Sequence, residues 1–373
     1  MSTSLHIYCA NLHVGGIVVT AASFLDTLPQ LIDEGSLSSF SSLLVTASTT
    51  VAKNMQSINP KVDRPFLLDI RDDSPASAPL RRHKRVDVRV IISGPDYAIG
   101  HASIQLCGFH DANILGPRAE SFYNSSFRLG IKRTIQREIL KRYDAYFTET
   151  EPMAQSLSDF QPGKEVAVIQ NAPAEVFTNQ MGGSSSKLPF LSSHVIRLFF
   201  PARGYPHKNH SILPDVINQF NCEGDLELQI VTTLREDEID SLGLRGCSGI
   251  INVGEVGVDE LPSLYSETHG VIFPSLNELS SVTPIEGMIM RRPVFASDRQ
   301  FVRETCGDHV NYIDPLDPAD IANTIKIYFS KSIGASLEGA FTFAHSLPTP
   351  IERARMLMEF VNRVLQGGSN ENR

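Results

Sequence analysis

Phe273-Pro-Ser-Leu-Asn-Glu278-Leu-Ser-Ser-Val-Thr283-Pro-Ile-Glu286-Gly-Met288 sets two carboxylates eight positions apart across what reads as a strand, a loop and a helix start. Residues 271–273 look like the end of a buried strand and residues 274–281 like a polar loop. Thr283 and Pro284 carry a helix-start signature, an N-cap threonine followed by a proline at the first helical position. Glu278 then lies in the loop and Glu286 one turn inside the helix. Both sit at the carboxyl end of a strand, where open α/β sheets bind their ligands. Backbone N–H groups at such a helix start are available to an anion. The same spacing also fits a plain capping box between Thr283 and Glu286, with Glu278 a solvated loop residue.

A second stretch bears on that choice. Arg197-Leu-Phe-Phe-Pro-Ala-Arg203-Gly-Tyr-Pro-His207-Lys208-Asn209-His210 starts as a buried strand and turns through Gly and Pro into a helix capped near Asn209. Arg203 and Lys208 fall in the connecting loop. Two cations there suit a diphosphate, because Arg grips phosphate oxygens in a bidentate manner and Lys adds a compact charge. As isolated residues they read as ordinary surface charges.

Together these stretches resemble the nucleotide-sugar half of the family-4, GT-B-fold, retaining glycosyltransferases of the group 1 type. Their pattern is an R…K pair after one strand and E-x7-E after a later one. The resemblance continues through Arg292-Pro-Val-Phe-Ala-Ser-Asp298 and Tyr312-Ile-Asp-Pro315-Leu-Asp317-Pro-Ala-Asp320, and covers roughly residues 197–327. One departure is local: where the family commonly has Gly-Leu-Pro between the glutamates, this chain has Ser281-Val282-Thr283-Pro284.

The resemblance implies an α/β, GT-B architecture, two Rossmann-like domains facing each other across a cleft. Residues 1–180 form the acceptor domain, residues 190–349 the nucleotide-sugar domain, and the final segment, 350–373, packs back on the first. It implies that Arg203 and Lys208 hold the donor diphosphate and that Glu286 takes the ribose hydroxyls. Glu278, with the loop of Leu279, Ser280, Ser281 and Val282, faces the donor sugar. Glu rather than Gln at both ends agrees with a carboxylate accepting from vicinal hydroxyls.

In the first half, Asn11-Leu-His13-Val-Gly15-Gly16 joins an opening strand, residues 5–9, to an apolar helix. A Gly pair there lets backbone approach a ligand, or simply makes a tight turn. The family places a glycine-rich loop at this point against donor phosphates and acceptor, which makes Gly15 and Gly16 donor-site candidates. Gly108-Phe109-His110 ends a later strand and resembles the family's sugar-facing histidine; a backbone-bonded core His is the alternative, with His13 and His101 as rivals. Asn171, after the half's last strand, reads as structural.

Composition agrees with two domains: 373 residues exceed the size that one core usually serves, and 42% are hydrophobic. No apolar run approaches the ~18 residues of a membrane span, and the start lacks a basic signal-peptide region. Five cysteines without CxxC spacing read as reduced thiols of a cytoplasmic protein. A net charge of −9 argues against general nucleic-acid binding. The Gly/Ser-rich residues 179–189 read as the interdomain linker. Residues 81–85 and 128–142 are basic. In the second segment Ile131, Ile135, Ile139 and Leu140 share one side, as in a core-packed helix with a solvated basic face or one that meets anionic lipid at the inner face of the membrane.

The expected activity is retaining, metal-independent glycosyl transfer, of hexosyltransferase type, from a nucleoside-diphosphate sugar to a glycan or lipid-linked hydroxyl in bacterial polysaccharide or glycolipid assembly. No cofactor is expected beyond the donor, and no DxD-like pair is placed to hold a metal. The candidate catalytic residues are Glu278, His110, Arg203 and Lys208. A GT-B nucleotide-sugar epimerase and a non-catalytic nucleotide-sugar binder share the same C-terminal site and remain open alternatives.

Overall fold

The computed structural model describes residues 3–58, 65–74, 77, 82, 84–97, 100, 102–115, 127–178, 188–190, 192–222, 224–331 and 335–368. Arg81, His83, His101 and most of the expected linker, residues 179–187, lie outside that set. The chain divides into two compact units, Met1–Ala174 with Pro348–Arg373, and Glu175–Leu347.

The first unit runs β1 (Ser4–Cys9), α1 (Gly16–Asp33), β2 (Ser42–Ala47), α2 (Thr49–Ile58), β3 (Leu67–Ile70), β4 (Val86–Ile91), β5 (Ala102–Gly108), α3 (Ala112–Leu115), α4 (Phe127–Leu140), β6 (Ala145–Thr148), α5 (Glu151–Phe160) and β7 (Glu165–Val168). Its strands form one sheet in the order β3-β2-β1-β4-β5-β6-β7, and every neighbouring pair is parallel. Strands covered on both faces become continuous apolar runs, as in β1, where all but Ser4 are buried. Gly15 precedes α1 with φ 83, the left-handed region where a side chain is strained.

The second unit runs α6 (Glu175–Thr178), β8 (Val195–Phe200), α7 (Leu213–Asn221), β9 (Glu227–Thr232), α8 (Glu236–Ser241), β10 (Ile250–Asn252), α9 (Leu261–Ser266), β11 (Gly270–Phe273), α10 (Thr283–Ile289), β12 (Val294–Ser297), α11 (Gln300–Cys306), β13 (Asn311–Ile313), α12 (Pro318–Lys331) and α13 (Leu337–Ser346). Its parallel sheet has the order β10-β9-β8-β11-β12-β13. Each sheet reverses its winding once, at β1/β4 and at β8/β11, the doubly wound plan of Rossmann-like folds.

Three local expectations change. Thr283 is the first residue of α10 rather than its cap: the carbonyl of Val282 before it already accepts from Glu286 N–H at 2.8 Å, and no side chain caps the helix. Asn209 caps a 3₁₀ turn rather than an α-helix: it is left-handed at φ 63 between the turns Pro206–Lys208 and His210–Ile212, and α7 follows directly. In α4, Ile139 and Leu140 are buried, but Ile131 and Ile135 are 48% and 49% exposed. That helix packs through its last turn before β6, so its earlier apolar positions meet solvent.

The last helix, α14 (Pro350–Gly368), belongs to the core of the first unit. Ala354, Leu357, Met358, Phe360 and Val361 join the buried cluster of β1, β4 and α1. Arg355 donates to Glu34 (2.6 Å) and Arg363 to Glu165 (2.6 Å), which pin its outer face. Leu357→Ala should therefore lower the unfolding free energy by about 2–5 kcal/mol in denaturant titration. A loss below ~0.5 kcal/mol, the usual size of a surface change, would detach α14 from that core.

Candidate active site

In the second unit, the loops that leave β8 and β11 meet at the carboxyl edge of the sheet. Leu276 N–H donates to the His207 carbonyl (2.7 Å). Asn209 Nδ2 donates to the carbonyls of Pro315 (2.7 Å) and Pro274 (3.3 Å), clasping the loops after β8, β11 and β13. On this frame Lys208 Nζ donates to Glu278 Oε1 at 2.6 Å, the two side chains 14% and 11% exposed. Lys208 Nζ also stands 5.4 Å from the centre of the Phe273 ring.

Arg203 is held by carboxylates as well. Its Nε donates to Glu238 Oε1 (3.0 Å) and its NH1 to Glu255 Oε1 (2.8 Å). Both cations are thus occupied by carboxylates, which an anion binding here would have to displace.

Glu286 is buried, and its Oε2 accepts from the Tyr265 hydroxyl at 2.8 Å rather than closing a capping box with Thr283. Burial raises its carboxyl to about 7, while the Tyr265 bond and the Lys208 charge act in the opposite direction. Gly287 makes the placement possible: a Cβ there would lie 2.8 Å from Val271 Cγ2 and 2.9 Å from Val294 Cγ2, so α10 rests directly on β11 and β12. Leu279, Ser280, Ser281 and Val282 are half-buried in the loop between the two glutamates.

The first unit has a polar cavity of about 240 Å³ at the carboxyl edge of β1, β4 and β5, lined by Asn11, Asp73, Ser93, Asp96, His110 and Lys132 among others. His110 Nδ1 lies 3.1 Å from Ser93 Oγ, and its Nε2 has no hydrogen-bond partner among the described residues. Burial, and then the charge of Arg353, push this imidazole down to about 3. Gly15, Gly16 and His13 do not line that cavity; His13 Nε2 is bonded to the Asp73 carbonyl at 2.7 Å. Asn171 is structural, its Oδ1 accepting from Ala172 N–H (3.0 Å) and Thr20 Oγ1 (3.3 Å).

Sequence reasoning missed Glu238, Glu255 and Tyr265 around the C-terminal site, and Glu149 and Arg353 beside His110. Each comes from an element remote in sequence, and none carries a local pattern that sets it apart from a solvated charge or a core tyrosine.

Two doubly wound parallel units are the architecture of GT-B glycosyltransferases. The chain matches, with a TM-score of 0.64, a glycosyltransferase from Rickettsia africae, 14% identical, over 98% of this chain and 99% of that one. It matches Anabaena HepE in complex with UDP with a TM-score of 0.60, at 14% identity over 97% of this chain and 100% of that one. Residues 196–330 match the family model of glycosyl transferases group 1. A stretch of 151 residues is 29% identical to the O-antigen chain mannosyltransferase RfbU of Salmonella typhimurium, covering 38% of this chain and 42% of that protein.

Because Glu286 holds its proton more tightly folded than unfolded, its contribution to stability is complete below its ordinary value of 4.5 and is lost as pH rises through about 7. The stability of wild type minus that of Glu286→Gln should therefore fall from about pH 4.5 to above pH 7 and then level off. Denaturant titrations across that range test this, and a pH-independent difference would contradict a desolvated Glu286.

Proposed function

We propose that the protein is a retaining, metal-independent glycosyltransferase that moves a hexose from a nucleoside-diphosphate sugar to a hydroxyl of a glycan or lipid-linked acceptor in bacterial surface-polysaccharide assembly. One observation carries the reading. Within the segment of the group 1 type, a buried Glu286 and the Lys208–Glu278 pair converge with Arg203 at the winding reversal of a parallel sheet. The relatives support the substrate class: HepE is described with UDP-glucose, and RfbU by its name transfers mannose to O-antigen.

In this reading Glu286 accepts the ribose hydroxyls, and Arg203 and Lys208 hold the diphosphate. Glu278, released from Lys208 by that exchange, accepts from hydroxyls of the donor sugar. The bond from the anomeric carbon to the diphosphate breaks and a bond to the acceptor oxygen forms on the same face. The leaving diphosphate takes the acceptor proton, and Arg203 and Lys208 offset the charge that develops on it. His110 meets the transferring sugar or the acceptor hydroxyl from the cavity of the first unit. The basic α4, with Ile131 and Ile135 exposed beside Lys132, supports contact with an anionic membrane surface on the cytoplasmic side, where a lipid-linked acceptor is presented.

Isothermal titration of UDP, GDP and ADP should find one nucleotide preferred, with Glu286→Gln and Lys208→Ala weakening it by about tenfold or more. Unchanged affinity in both variants would rule the site out. Glu278→Ala should cripple transfer while leaving nucleotide affinity within a few-fold, a pattern opposite to that of Glu286→Gln. Conversion of the sugar nucleotide without any acceptor would favour an epimerase instead.

His110→Ala should lower kcat by ~10²-fold or more with nucleotide affinity intact. A variant that melts earlier yet turns over normally per folded molecule would return His110 to a packing role.

A further inference from the structure

Arg203, in the loop after β8, sets its guanidinium between two carboxylates that are held in different ways. Its Nε donates to Glu238 Oε1 at 3.0 Å and its NH1 to Glu255 Oε1 at 2.8 Å, while NH2 has no hydrogen bond among the described residues. Glu238 is 12% exposed and Glu255 63%. The second oxygen of Glu238 accepts from Arg235 N–H at 3.0 Å, at the start of α8. The chain next to Arg203 also packs on this side chain: a Cβ on Gly204 would lie 3.0 Å from Glu238 Cβ and 3.2 Å from its Cγ. Burial acts to raise the Glu238 carboxyl, and the Arg235 N–H and Arg203 outweigh it, holding the group below its usual range. Glu255, in the loop after β10, has Arg203 as its one hydrogen-bond partner among the described residues.

An arriving anion meets these two pairs on unequal terms. An exposed ion pair with a single contact is worth little and exchanges readily, whereas pulling Glu238 away strips a helix-start N–H and a nearly desolvated cation of their partner. We infer that the two carboxylates have opposite roles: Glu238 is a positioning residue that keeps Arg203 Nε whether or not a ligand is bound, and Glu255 is a placeholder that a phosphate displaces. Its departure frees NH1 beside the open NH2, so the terminal edge of the guanidinium grips two oxygens of one phosphate. The inference rests on the role proposed above for Arg203 as a diphosphate ligand, and adds which counter-ion leaves and which stays.

The test is isothermal titration of UDP, GDP, ADP and inorganic pyrophosphate into the full-length protein. E255Q should tighten the preferred ligand by about two- to fivefold, the worth of an exposed ion pair that binding no longer has to break. E238Q should weaken it by about tenfold or more. The amide oxygen of that variant can still accept from Arg235 N–H, and partial unfolding would lower the number of binding sites instead of the affinity. In R203Q the gain from E255Q should vanish, because no cation is left for Glu255 to occupy. ¹⁵N NMR of the Arg203 Nε–H, assigned by its loss in R203Q, should show it shielded from solvent exchange with and without ligand, which tests the anchor even where E238Q folds poorly. Four results would each overturn the inference: E255Q binding no tighter, an equal gain in R203Q, E238Q tightening as E255Q does, or an Nε–H that loses its protection when ligand binds. A wild type that binds none of these ligands would sink the proposed function as well, whereas wild-type binding with the wrong variant pattern would sink the inference alone.

Discussion

The C-terminal site depends on β8 and β11 lying side by side, Leu198 against Gly270 and Phe199 against Val271, while the chain leaves them in opposite directions. From β8 it turns to β9 through α7, and from β11 to β12 through α10. Two such departures open a gap at the carboxyl edge that neither crossover covers. The loops that fill it need a tie across the sheet, and Asn209 supplies it with one side-chain amide. Its left-handed backbone costs Asn less than most residues, and its Nδ2 repays the strain with bonds to the loops after β11 and β13.

Electrostatics inside that frame are closed in advance. Lys208 is matched by Glu278, and Arg203 by Glu238 and Glu255. For a nearly desolvated pair such as Lys208–Glu278, loss of one partner leaves an uncompensated charge that costs about 3–5 kcal/mol. A phosphate binding at either cation would therefore have to replace a carboxylate, and the displaced carboxylate would need a new donor nearby. Hydroxyl groups of a sugar are such donors. The 2.6 Å Lys208–Glu278 bond thus links the places given to phosphate and sugar, so that one ligand must satisfy both ends of the broken pair. Glu286 solves a different problem, since burial with a single tyrosine partner leaves its carboxyl close to neutrality until a second donor arrives.

What was legible in the sequence followed from period and punctuation. Strands such as Val195–Phe200 are buried throughout and read as parallel-sheet strands without alternation. The E-x7-E spacing placed Glu278 and Glu286 at one strand end because loop and helix start are local. The same local logic misjudged the cap of α10, where Thr283 has a capping side chain but already lies inside the helix. It also misread α4, since a helical wheel shows which residues share a side but not which turns of the helix have anything to pack against. Partners brought from far along the chain were invisible. Tyr265 reaches Glu286 and Arg203 reaches Glu255 only through the tertiary fold.

At the cavity of the first unit, two buried polar atoms have no hydrogen-bond partner among the described residues. Asn11 donates through Nδ2 to the Ser93 carbonyl at 2.7 Å, yet its Oδ1, like His110 Nε2, is buried without a partner among the described residues. Each such atom costs about 1–3 kcal/mol unless something enters to bond it. A protein retains that cost where a ligand removes it, and a group that both donates and accepts, such as a sugar hydroxyl, satisfies an amide oxygen and an imidazole nitrogen alike. A hydroxyl-rich ligand would thus satisfy both unpaired atoms at the first unit, as a phosphate would suit the cations of the second.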